Sequence, residues 1–277
     1  MSAGRNVFAG QISATVIDPP LQRMKIASWN INSLRKRQDR LFVWLDATKP
    51  EIVCLQETKC TEEQFPALAL QAVGYRSAYH GEKSYNGVAI LSKSEPRDVG
   101  ASLCDEVVDP QARVIAATID SIRVFSIYAP NGRAVGSSAY DYKINWYARL
   151  RECLSSEGTA ELIVCGDFNV APEDEDVYDP DLWRGAIMCS DGERAAFRQL
   201  CETGFSDTLR LHHKEAGLFS WWDYRMLSFP KNRGLRIDAI LASKSLAKKC
   251  AAAGIDREMR KGKEPSDHAP VWAKFDL

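Results

Sequence analysis

Five short polar segments of this chain could carry chemistry, because each ends or interrupts an apolar run with a carboxylate, a carboxamide or a histidine. They are Trp29–Asn32, Gln56–Thr58, Gly166–Asn169, Arg236–Asp238 and Pro265–Pro270. In the last segment two prolines bracket Asp267 and His268, as in a rigid loop that presents two polar side chains. The recurrence of this pattern along one chain predicts a metal-dependent site that cleaves phosphodiesters.

Cleavage of a phosphodiester needs a cation on the nonbridging oxygens, an activated in-line water and neutralisation of the leaving oxygen. Glu57 follows a predicted buried strand and is the best candidate for a metal ligand, because hard divalent cations prefer oxygen. The alternative for Glu57 is a residue that only starts a helix. Asn30 and Asn32 follow another buried strand, where they could orient metal-bound water or phosphate, or form a plain polar turn.

Asp167 and Asn169 form the strongest of these pairs. Four apolar residues run directly into Asp167, and strand alternation predicts that Asn169 lies on the same side. Together the two side chains could hold a water whose proton Asp167 accepts. The alternative is an Asx turn at the end of a strand.

Asp238 interrupts the apolar run 235–241, and we predict that it lies within a strand. A carboxylate there is costly to bury unless it has a partner. His268 is the natural partner, because a carboxylate on one ring nitrogen orients the imidazole and favours its protonated form. Such a dyad could stabilise charge on a phosphate or orient the nucleophile, whereas the alternative is a structural pair at the base of a loop.

Basic and aromatic residues lie close to these segments in the sequence. The basic ones could contact phosphates on either side of the scissile bond, although such runs are more often solvated faces: Arg35, Lys36, Arg37, Arg40, Lys231, Arg233 and Arg236. Trp221 could equally pack in the core or offer a flat wall to a sugar or base. For Trp222 we expect the core.

The composition restricts the class of protein. The 277 residues carry a formal net charge of -1, so an anionic partner must be held by local patches. The 8 cysteines include no CxxC pair, which argues against a disulfide framework or a zinc site and favours a reducing cytoplasm. Residues 1–23 contain no apolar stretch of the length of a signal peptide or membrane span, and we expect a poorly ordered extension there.

Hydrophobic periodicity predicts strands that alternate with helices. The predicted strands cover 25–29, 52–55, 87–91, 113–119, 122–127, 162–165, 235–242 and 269–275. The predicted helices begin after Ser33 and cover 62–72, 138–154 and 192–202. Residues 172–181, with six acidic side chains, are expected to form a solvated loop rather than a second metal site.

These elements predict one α/β domain over residues 24–277, because no repeat or long linker divides them. Two hairpin-like strand pairs argue against a doubly wound parallel sheet. Two facing mixed β-sheets flanked by helices accommodate both patterns.

Taken together, the motifs resemble the exonuclease III branch of the endonuclease/exonuclease/phosphatase superfamily, over residues 24–277. The segments that carry the resemblance are Ser28–Asn32, Leu55–Lys59, Tyr128–Gly132, Gly166–Asn169, Ser220–Arg225, Asn232–Asp238 and Ser266–Pro270. The resemblance implies a four-layered α/β sandwich and a magnesium-dependent enzyme acting on DNA, with Mn²⁺ as the alternative cation. Tyr128 stands where inositol-phosphatase and sphingomyelinase relatives usually have a histidine, and thus resembles the abasic-site repair branch.

The resemblance also implies roles for individual residues. Those expected at the metal are Asn30, Glu57 and Asp267. Those expected to act in catalysis are Tyr128, Asp167, Asn169, Asp238 and His268. Those expected to bind substrate are Asn32, Arg113, Trp221, Leu235 and Ile237, of which Trp221, Leu235 and Ile237 would form an apolar pocket for an extrahelical abasic sugar.

The resulting expectation is a hydrolase that incises duplex DNA 5′ to abasic sites and trims or dephosphorylates blocked 3′ ends. We expect a monomer that acts on double-stranded DNA in the cytoplasm, associated with the nucleoid and not with a membrane. Two alternatives are a superfamily phosphoesterase that acts on RNA or phosphomonoesters, and a catalytically inactive DNA-binding module. The apolar residues around Trp221 argue against the first alternative, and the intact motifs argue against the second.

Overall fold

Two six-stranded sheets form the centre of the computed structural model, which describes Met1 and residues 23–107, 109–158 and 161–277. The strands are β1 (Arg23–Asn30), β2 (Ile52–Gln56), β3 (Arg76–His80), β4 (Val88–Ser92), β5 (Arg97–Gly100), β6 (Val114–Ile119), β7 (Ile122–Tyr128), β8 (Leu162–Asp167), β9 (Phe205–Asp207), β10 (Asp238–Ser243), β11 (Cys250–Ile255) and β12 (Val271–Asp276). Apart from Met1 and Arg23, the predicted extension over residues 1–23 lies outside the described residues.

Both sheets are mixed, and each is built around one parallel pair. The first has the order β11-β12-β1-β2-β4-β3, in which β1 and β2 are parallel. The second has the order β5-β6-β7-β8-β10-β9, in which β7 and β8 are parallel. All other neighbouring strands run antiparallel.

Helices flank the two sheets. They are α1 (Leu34–Thr48), α2 (Ala67–Ala72), α3 (Ser138–Ser156), α4 (Pro180–Trp183), α5 (Asp191–Glu202), α6 (Thr208–His212) and α7 (Lys244–Ala247), with short 3₁₀ helices at Glu62–Gln64, Asp174–Asp176 and Arg257–Arg260. Apolar residues of α1 and α2 pack on the first sheet, and those of α3 and α5 pack on the second. The predicted four-layered sandwich of two mixed sheets and outer helices is therefore confirmed. No helix in these described ranges has the length and apolar character needed to span a membrane.

Strand alternation explains how one sequence fills three apolar layers. In β1, Ile26 points between the sheets, where it joins Val124 of β7 and Ile240 of β10, whereas Trp29 points outward into the cluster formed with α1. The continuous burial of β2 and β4 follows from this arrangement, because both faces of each strand are covered.

Two predicted helix starts differ from the structure. Ser33 precedes α1 but has φ 86° and makes no capping hydrogen bond through its side chain. The single helix predicted over 62–72 is divided into a 3₁₀ turn and α2, because Pro66 stands between them and cannot donate a backbone hydrogen bond.

The strand predicted over 235–242 begins only at Asp238. The residues before it pair elsewhere: the Leu235 amide donates to the Trp221 carbonyl, and the Arg236 amide donates to the Asp176 carbonyl. Asp238 therefore stands at the start of its strand and not in the middle, which brings its side chain to the edge of the sheet.

The prediction of a solvated acidic loop over 172–181 is wrong at Asp176, which is fully buried. Its carboxylate accepts hydrogen bonds from Arg236 (Nη2 to Oδ2, 2.9 Å) and from Arg210. Arg236 is equally buried and also pairs with Asp207 at 2.7 Å. The interpretation of Arg236 as a phosphate contact is therefore wrong, because its guanidinium has no access to solvent.

A disulfide joins Cys104 to Cys153, contrary to the expectation drawn from cysteine spacing. The bond attaches the segment between β5 and β6 to the buried side of α3. The six other cysteines are free thiols. Sequence spacing did not predict the pair because its members are 49 residues apart and meet only through the fold.

Reduction of this disulfide should lower the free energy of unfolding by about 2–4 kcal/mol, because the bond restricts a long loop in the unfolded chain. Denaturant unfolding with and without reductant measures the effect. The Cys104→Ser/Cys153→Ser variant is the control, and its unfolding midpoint should not respond to reductant. An identical midpoint for the wild type under both conditions would contradict the prediction.

Candidate active site

The ends of strands from both sheets meet at one edge of the sandwich. Asn30 ends β1 and Glu57 follows β2 in the first sheet, while Asp167 ends β8 and Asp238 begins β10 in the second. Asp167 is the register partner of Asp238 on one side and of Tyr128 on the other. The structure thus brings together polar side chains from almost the whole length of the described chain.

Gly166 allows this close approach in the second sheet. A Cβ atom at Gly166 would lie 1.9 Å from the carbonyl oxygen of Ile127, a distance that no side chain tolerates. Without a side chain there, β8 lies against β7, and Asp167 sits beside Tyr128.

His268 lies between two carboxylates. Its Nδ1 is 2.8 Å from Asp238 Oδ2, and its Nε2 is 3.7 Å from Asp167 Oδ2. Burial disfavours the charged imidazole, but the charges of Asp238 and Asp167 outweigh that cost and raise the pKa of His268 to about 10. The predicted Asp238–His268 contact is present, and its imidazole carries a positive charge at neutral pH.

Ser220 holds Asp238 in place and was not identified as a site residue from the sequence. Its hydroxyl donates to Asp238 Oδ2 at 2.6 Å and accepts from the backbone amides of Ile237 and Asp238, each at 3.1 Å. Among the described residues, Asp238 Oδ1 is a buried atom without a hydrogen-bond partner. The signal that could have identified Ser220 is its position beside Trp221 in an apolar segment.

Asp167 is buried and both of its oxygens are engaged. Oδ1 accepts from the backbone amide of Asn169 at 2.9 Å, and Oδ2 accepts from Asn30 Nδ2 at 2.9 Å. Burial raises the pKa of Asp167 to about 7; the charge of His268 opposes this shift, and that of Asp238 adds to it. The Asx-type turn that was the alternative for this segment exists, and it orients the carboxylate toward the other site residues.

Glu57, Asp167 and His268 bring potential ligand atoms within 4.8 Å of one another. The Asn30 amide links this group, since Nδ2 also donates to Glu57 Oε1 at 2.8 Å. The outer oxygen of Glu57 lies 2.7 Å from the ammonium nitrogen of Lys59, so a cationic group already contacts this carboxylate. The carboxylate oxygens of Glu57 and Asp167 are the ligand type that a hard divalent cation takes, whereas a protonated His268 has no lone pair to offer it.

Asp267, predicted near the metal, lies just outside this group. Its carboxylate accepts from Trp221 Nε1 at 3.0 Å and from Asn32 Nδ2 at 2.8 Å. Burial opposes its ionisation, but the charge of His268 and these two hydrogen bonds lower the pKa of Asp267 below its usual value. Asp267 is therefore an anion that connects Asn32 with the aromatic segment.

Tyr128 and Arg113 form a second unit beside Asp167. The Arg113 guanidinium lies 4.8 Å from the centre of the Tyr128 ring and donates to the Tyr128 carbonyl at 3.1 Å. Burial, together with the charges of Glu57 and Asp167, holds the pKa of Tyr128 well above its ordinary value. The phenol is therefore a neutral hydrogen-bond donor, and Arg113 supports it from behind.

Asn169 has a left-handed backbone with φ 51° and does not continue β8. Its side chain donates to the Ala129 carbonyl at 2.9 Å and accepts from Asn131 Nδ2 at 3.2 Å. The predicted strand alternation therefore does not apply at Asn169. A tight turn places its amide near Asp167 instead.

The three residues expected to form an apolar pocket belong to one cluster. Leu235 and Ile237 are buried, and Trp221 is partly buried and packs against them. Trp222 is fully buried, as predicted. The Trp221 ring therefore combines packing on one side with a polar contact to Asp267 on the other.

A cavity of about 580 Å³ opens beside Asn32 and has a basic lining that includes Arg35, Lys36, Lys59 and Lys83. Two other predicted phosphate contacts, Arg37 (which also lines this cavity) and Arg40, use hydrogen-bond donors on backbone carbonyls. Arg37 donates to the carbonyls of Glu264 and Pro265, and Arg40 donates to those of the segment 259–263. The cationic surface beside the site is therefore smaller than the sequence suggested.

Asp238→Ala and His268→Ala should each lower kcat by roughly 100-fold or more, and the double variant should be little worse than either single variant. The reason is that the two side chains act as one unit, because Asp238 keeps the His268 imidazole charged and loss of either removes the same charged donor. Steady-state cleavage of duplex DNA measures the three losses. His212→Ala, at an exposed histidine, is the control and should retain wild-type kcat. Losses that multiply fully in the double variant would show that the two groups act independently.

Comparison with known proteins places this geometry in a family. The model of the endonuclease/exonuclease/phosphatase family matches residues 27–268. The exodeoxyribonuclease III of Haemophilus influenzae is 36% identical over 266 residues, which cover 91% of this chain and 100% of that protein.

Two solved structures share the fold over almost the whole chain. A variant of the 3′ phosphatase NExo from Neisseria, bound to a product DNA hairpin, is 44% identical with a TM-score of 0.90, covering 92% of this chain and 100% of that one. An AP endonuclease from Archaeoglobus fulgidus is 38% identical with a TM-score of 0.88 and the same coverage. The chain belongs to the endonuclease/exonuclease/phosphatase family, as a hydrolase of the exonuclease III/AP endonuclease type.

Proposed function

We propose that this protein is a magnesium-dependent DNA repair hydrolase that cleaves duplex DNA 5′ to abasic sites and also trims 3′ ends. The observation that carries the proposal is the continuous chain of contacts from Asp238 through His268, Asp167 and Asn30 to Glu57. These contacts support a cation site, a base and a charged donor within one small region. These are the three requirements of phosphodiester hydrolysis.

Glu57 is the proposed principal ligand of the cation, with Asn30 and Asp267 close by. A bound Mg²⁺ or Mn²⁺ would neutralise charge on the nonbridging oxygens of the phosphate. Glu57 suits this role because its carboxylate stands at the end of β2 and is partly exposed, whereas Asp167 is buried. Metal dependence is typical of the family, and the choice of magnesium rests on the oxygen character of these ligands.

Asp167 and Asn169 are the proposed holders of the attacking water. The pKa of Asp167 of about 7 suits a group that accepts a proton near neutral pH. His268, kept charged by Asp238, and the neutral Tyr128 phenol would donate hydrogen bonds to the phosphate as negative charge develops on it. Asn32 and Arg113 are proposed to support the substrate side, with Arg113 acting through Tyr128.

The cluster of Trp221, Leu235 and Ile237 is proposed to receive the extrahelical abasic sugar. A sugar without its base presents a small, largely apolar face, which suits the partly buried Trp221 ring over two buried aliphatic side chains. The basic cavity beside Asn32 is proposed to hold the DNA backbone next to the site. The proposed partner is duplex DNA with abasic sites or blocked 3′ ends, bound by a monomer in the cytoplasm at the nucleoid.

A second candidate for the dominant activity is removal of a 3′ phosphate. The observation that favours it is the 44% identity to a protein whose structure is described as that of a 3′ phosphatase. Both activities use the same cation, water and charged donor. They differ in whether the apolar cluster must receive an internal sugar.

A side-by-side assay tests the proposal and separates these candidates. The substrates are an abasic duplex, a nicked duplex with a 3′ phosphate and a blunt duplex, each with magnesium or with chelator. We expect cleavage of all three with magnesium only. Turnover confined to the nicked 3′ phosphate would favour the second candidate. An inositol phosphate is assayed alongside the three duplexes, and its equal turnover would favour a different phosphoesterase. An absence of cleavage of every substrate would favour an inactive DNA-binding module.

Glu57→Ala should weaken the apparent affinity for magnesium, because a principal ligand is lost. It should also lower kcat by a factor equivalent to several kcal/mol. A magnesium titration of initial rates measures the apparent metal affinity. Glu62→Ala, at an exposed acidic residue nearby in the sequence, is the matched control and should behave as the wild type. Wild-type activity of Glu57→Ala at ordinary magnesium would exclude Glu57 as the ligand.

Trp221→Ala should reduce abasic-site incision more than hydrolysis of a nicked 3′ phosphate, because only the abasic sugar needs the apolar wall. The ratio of the two rates is the measured quantity. A thermal melt comes first, since a large drop in Tm with both rates falling together would assign Trp221 to the core. A stable variant with an unchanged ratio would remove Trp221 from the proposed pocket.

A further inference from the structure

A buried lysine lies behind the loop that carries the proposed water-binding residue Asn169 and the loop that follows Tyr128. Lys143 belongs to α3, and its side chain has no exposed surface. Its ammonium donates to the Asn169 carbonyl at 2.6 Å, to the Asn131 carbonyl at 3.2 Å and to the Glu193 carboxylate. The ammonium has three protons and three acceptors, so all of its hydrogen-bond donors are satisfied.

The partner of Lys143 is itself fixed by the backbone of a different element. Glu193 lies in the first turn of α5, is fully buried and accepts from the amides of Met188 (3.0 Å) and Ser190 (3.1 Å). The Ser190 hydroxyl also donates to it, at 2.7 Å. Lys143 therefore cannot shift without breaking the start of α5.

Helix α3 contacts consecutive carbonyls of the loop that follows β8. Lys143 and Tyr147 are four positions apart and share one face of the helix. Tyr147 donates to the Phe168 carbonyl, and Lys143 donates to the next carbonyl, that of Asn169. The same ammonium reaches Asn131, so one group joins the loop after β7 to the loop after β8.

This anchoring matters because Asn169 has an unusual backbone. Its φ of 51° is a left-handed value, which asparagine adopts more readily than most residues with a side chain but which still costs free energy unless its surroundings hold it. The Asn169 amide contacts Asp167, its side chain contacts the loop after β7, and its carbonyl contacts Lys143. Lys143 therefore holds the one backbone group of Asn169 that faces away from the site.

Stability alone gives no reason for a charged pair at this position. Replacing a buried ion pair with neutral side chains of similar volume is often neutral or stabilising, because burial of two charges is costly. The two carbonyls that Lys143 binds belong to the loop that carries Asn169 and to the loop that follows Tyr128 at the end of β7, and not to the packed core. A neutral pair without the ammonium would not bind these two carbonyls and would no longer hold the two loops in place.

We infer that Lys143 and Glu193 are positioning residues, which hold the loops of Asn131 and Asn169 at the separation that the attacking water and the phosphate require. The inference rests on the proposed function and adds two residues that do not touch the substrate. A displacement of about 1 Å at such a site can cost on the order of 100-fold in rate. The pair therefore acts on kcat and leaves DNA binding unchanged.

The Lys143→Met/Glu193→Gln variant tests this inference, because it removes both charges and leaves neither one unpaired. The carboxamide introduced by Glu193→Gln keeps one oxygen, which can still accept from the Ser190 amide and hydroxyl, whereas the hydrogen bond from the Met188 amide to the other oxygen is lost. We expect kcat to fall by about 100-fold on a nicked 3′ phosphate or an abasic duplex, with KM for DNA within about 3-fold of wild type. Tm should stay within about 5 °C of wild type.

Leu150→Ala is the matched control on the same helix. Leu150 is fully buried in the core beneath α3 and its side chain makes no hydrogen bond to either loop, so its truncation should lower Tm while kcat stays near wild type below the melting point. Wild-type kcat in the double variant would overturn the inference. A rise in KM at constant kcat would also overturn it, because that result assigns the pair to DNA binding.

Amide hydrogen exchange gives a readout that does not need activity and so separates this inference from the proposed function. Peptides covering residues 128–133 and 166–171 should exchange faster in the double variant than in the wild type or in Leu150→Ala. Unchanged exchange there would overturn the inference even if the enzyme is active. Faster exchange in the double variant, combined with a wild type that cleaves none of the duplexes, would support the anchoring of the loops and refute the proposed function.

Discussion

The imidazole of His268 lies between the carboxylates of Asp238 and Asp167, and this contact joins the two sheets at their shared edge. His268 precedes β12 of the first sheet, whereas both carboxylates belong to the second. A buried charge of either sign would be costly alone, but together the three groups offset one another. The requirement for this balance explains why Ser220, Ser266 and Asn30 use their hydrogen bonds to hold the three groups in place.

The same balance extends outward to the surface of the site. The Asn30 amide donates to both Asp167 and Glu57. The Lys59 ammonium contacts Glu57 and donates to Asn32. Asn32 in turn donates to Asp267. Acidic and donor groups therefore alternate from the buried dyad to the basic cavity. Such a surface suits a reaction that needs a phosphate anion and a metal cation side by side, because each ion would bind next to a group of opposite charge.

The sequence allowed prediction of most strands and of the polar ends that form the site, since apolar runs that stop at Asp167 or Glu57 leave a strong local signal. Apart from the pair of Asp238 with His268, it did not predict the partners of buried charges. Asp176 belongs to an acidic run that looks solvated, and its burial depends on Arg236, 60 positions later. The disulfide, Ser220 and the pair of Lys143 with Glu193 were missed for the same reason, because periodicity reports exposure but not which distant side chain will be adjacent.

The position of β12 within its sheet has a consequence for synthesis of the protein. This strand lies between β11 and β1, so a segment made after both of them becomes an internal strand of the first sheet. His268 shortly precedes it, and Asn30 belongs to the first strand. While the ribosome is still adding residues before position 268, the growing chain has a gap beside β1 and no imidazole between its carboxylates. A chain released before position 268 therefore lacks the imidazole of the proposed site, which is completed only when β12 pairs with β1.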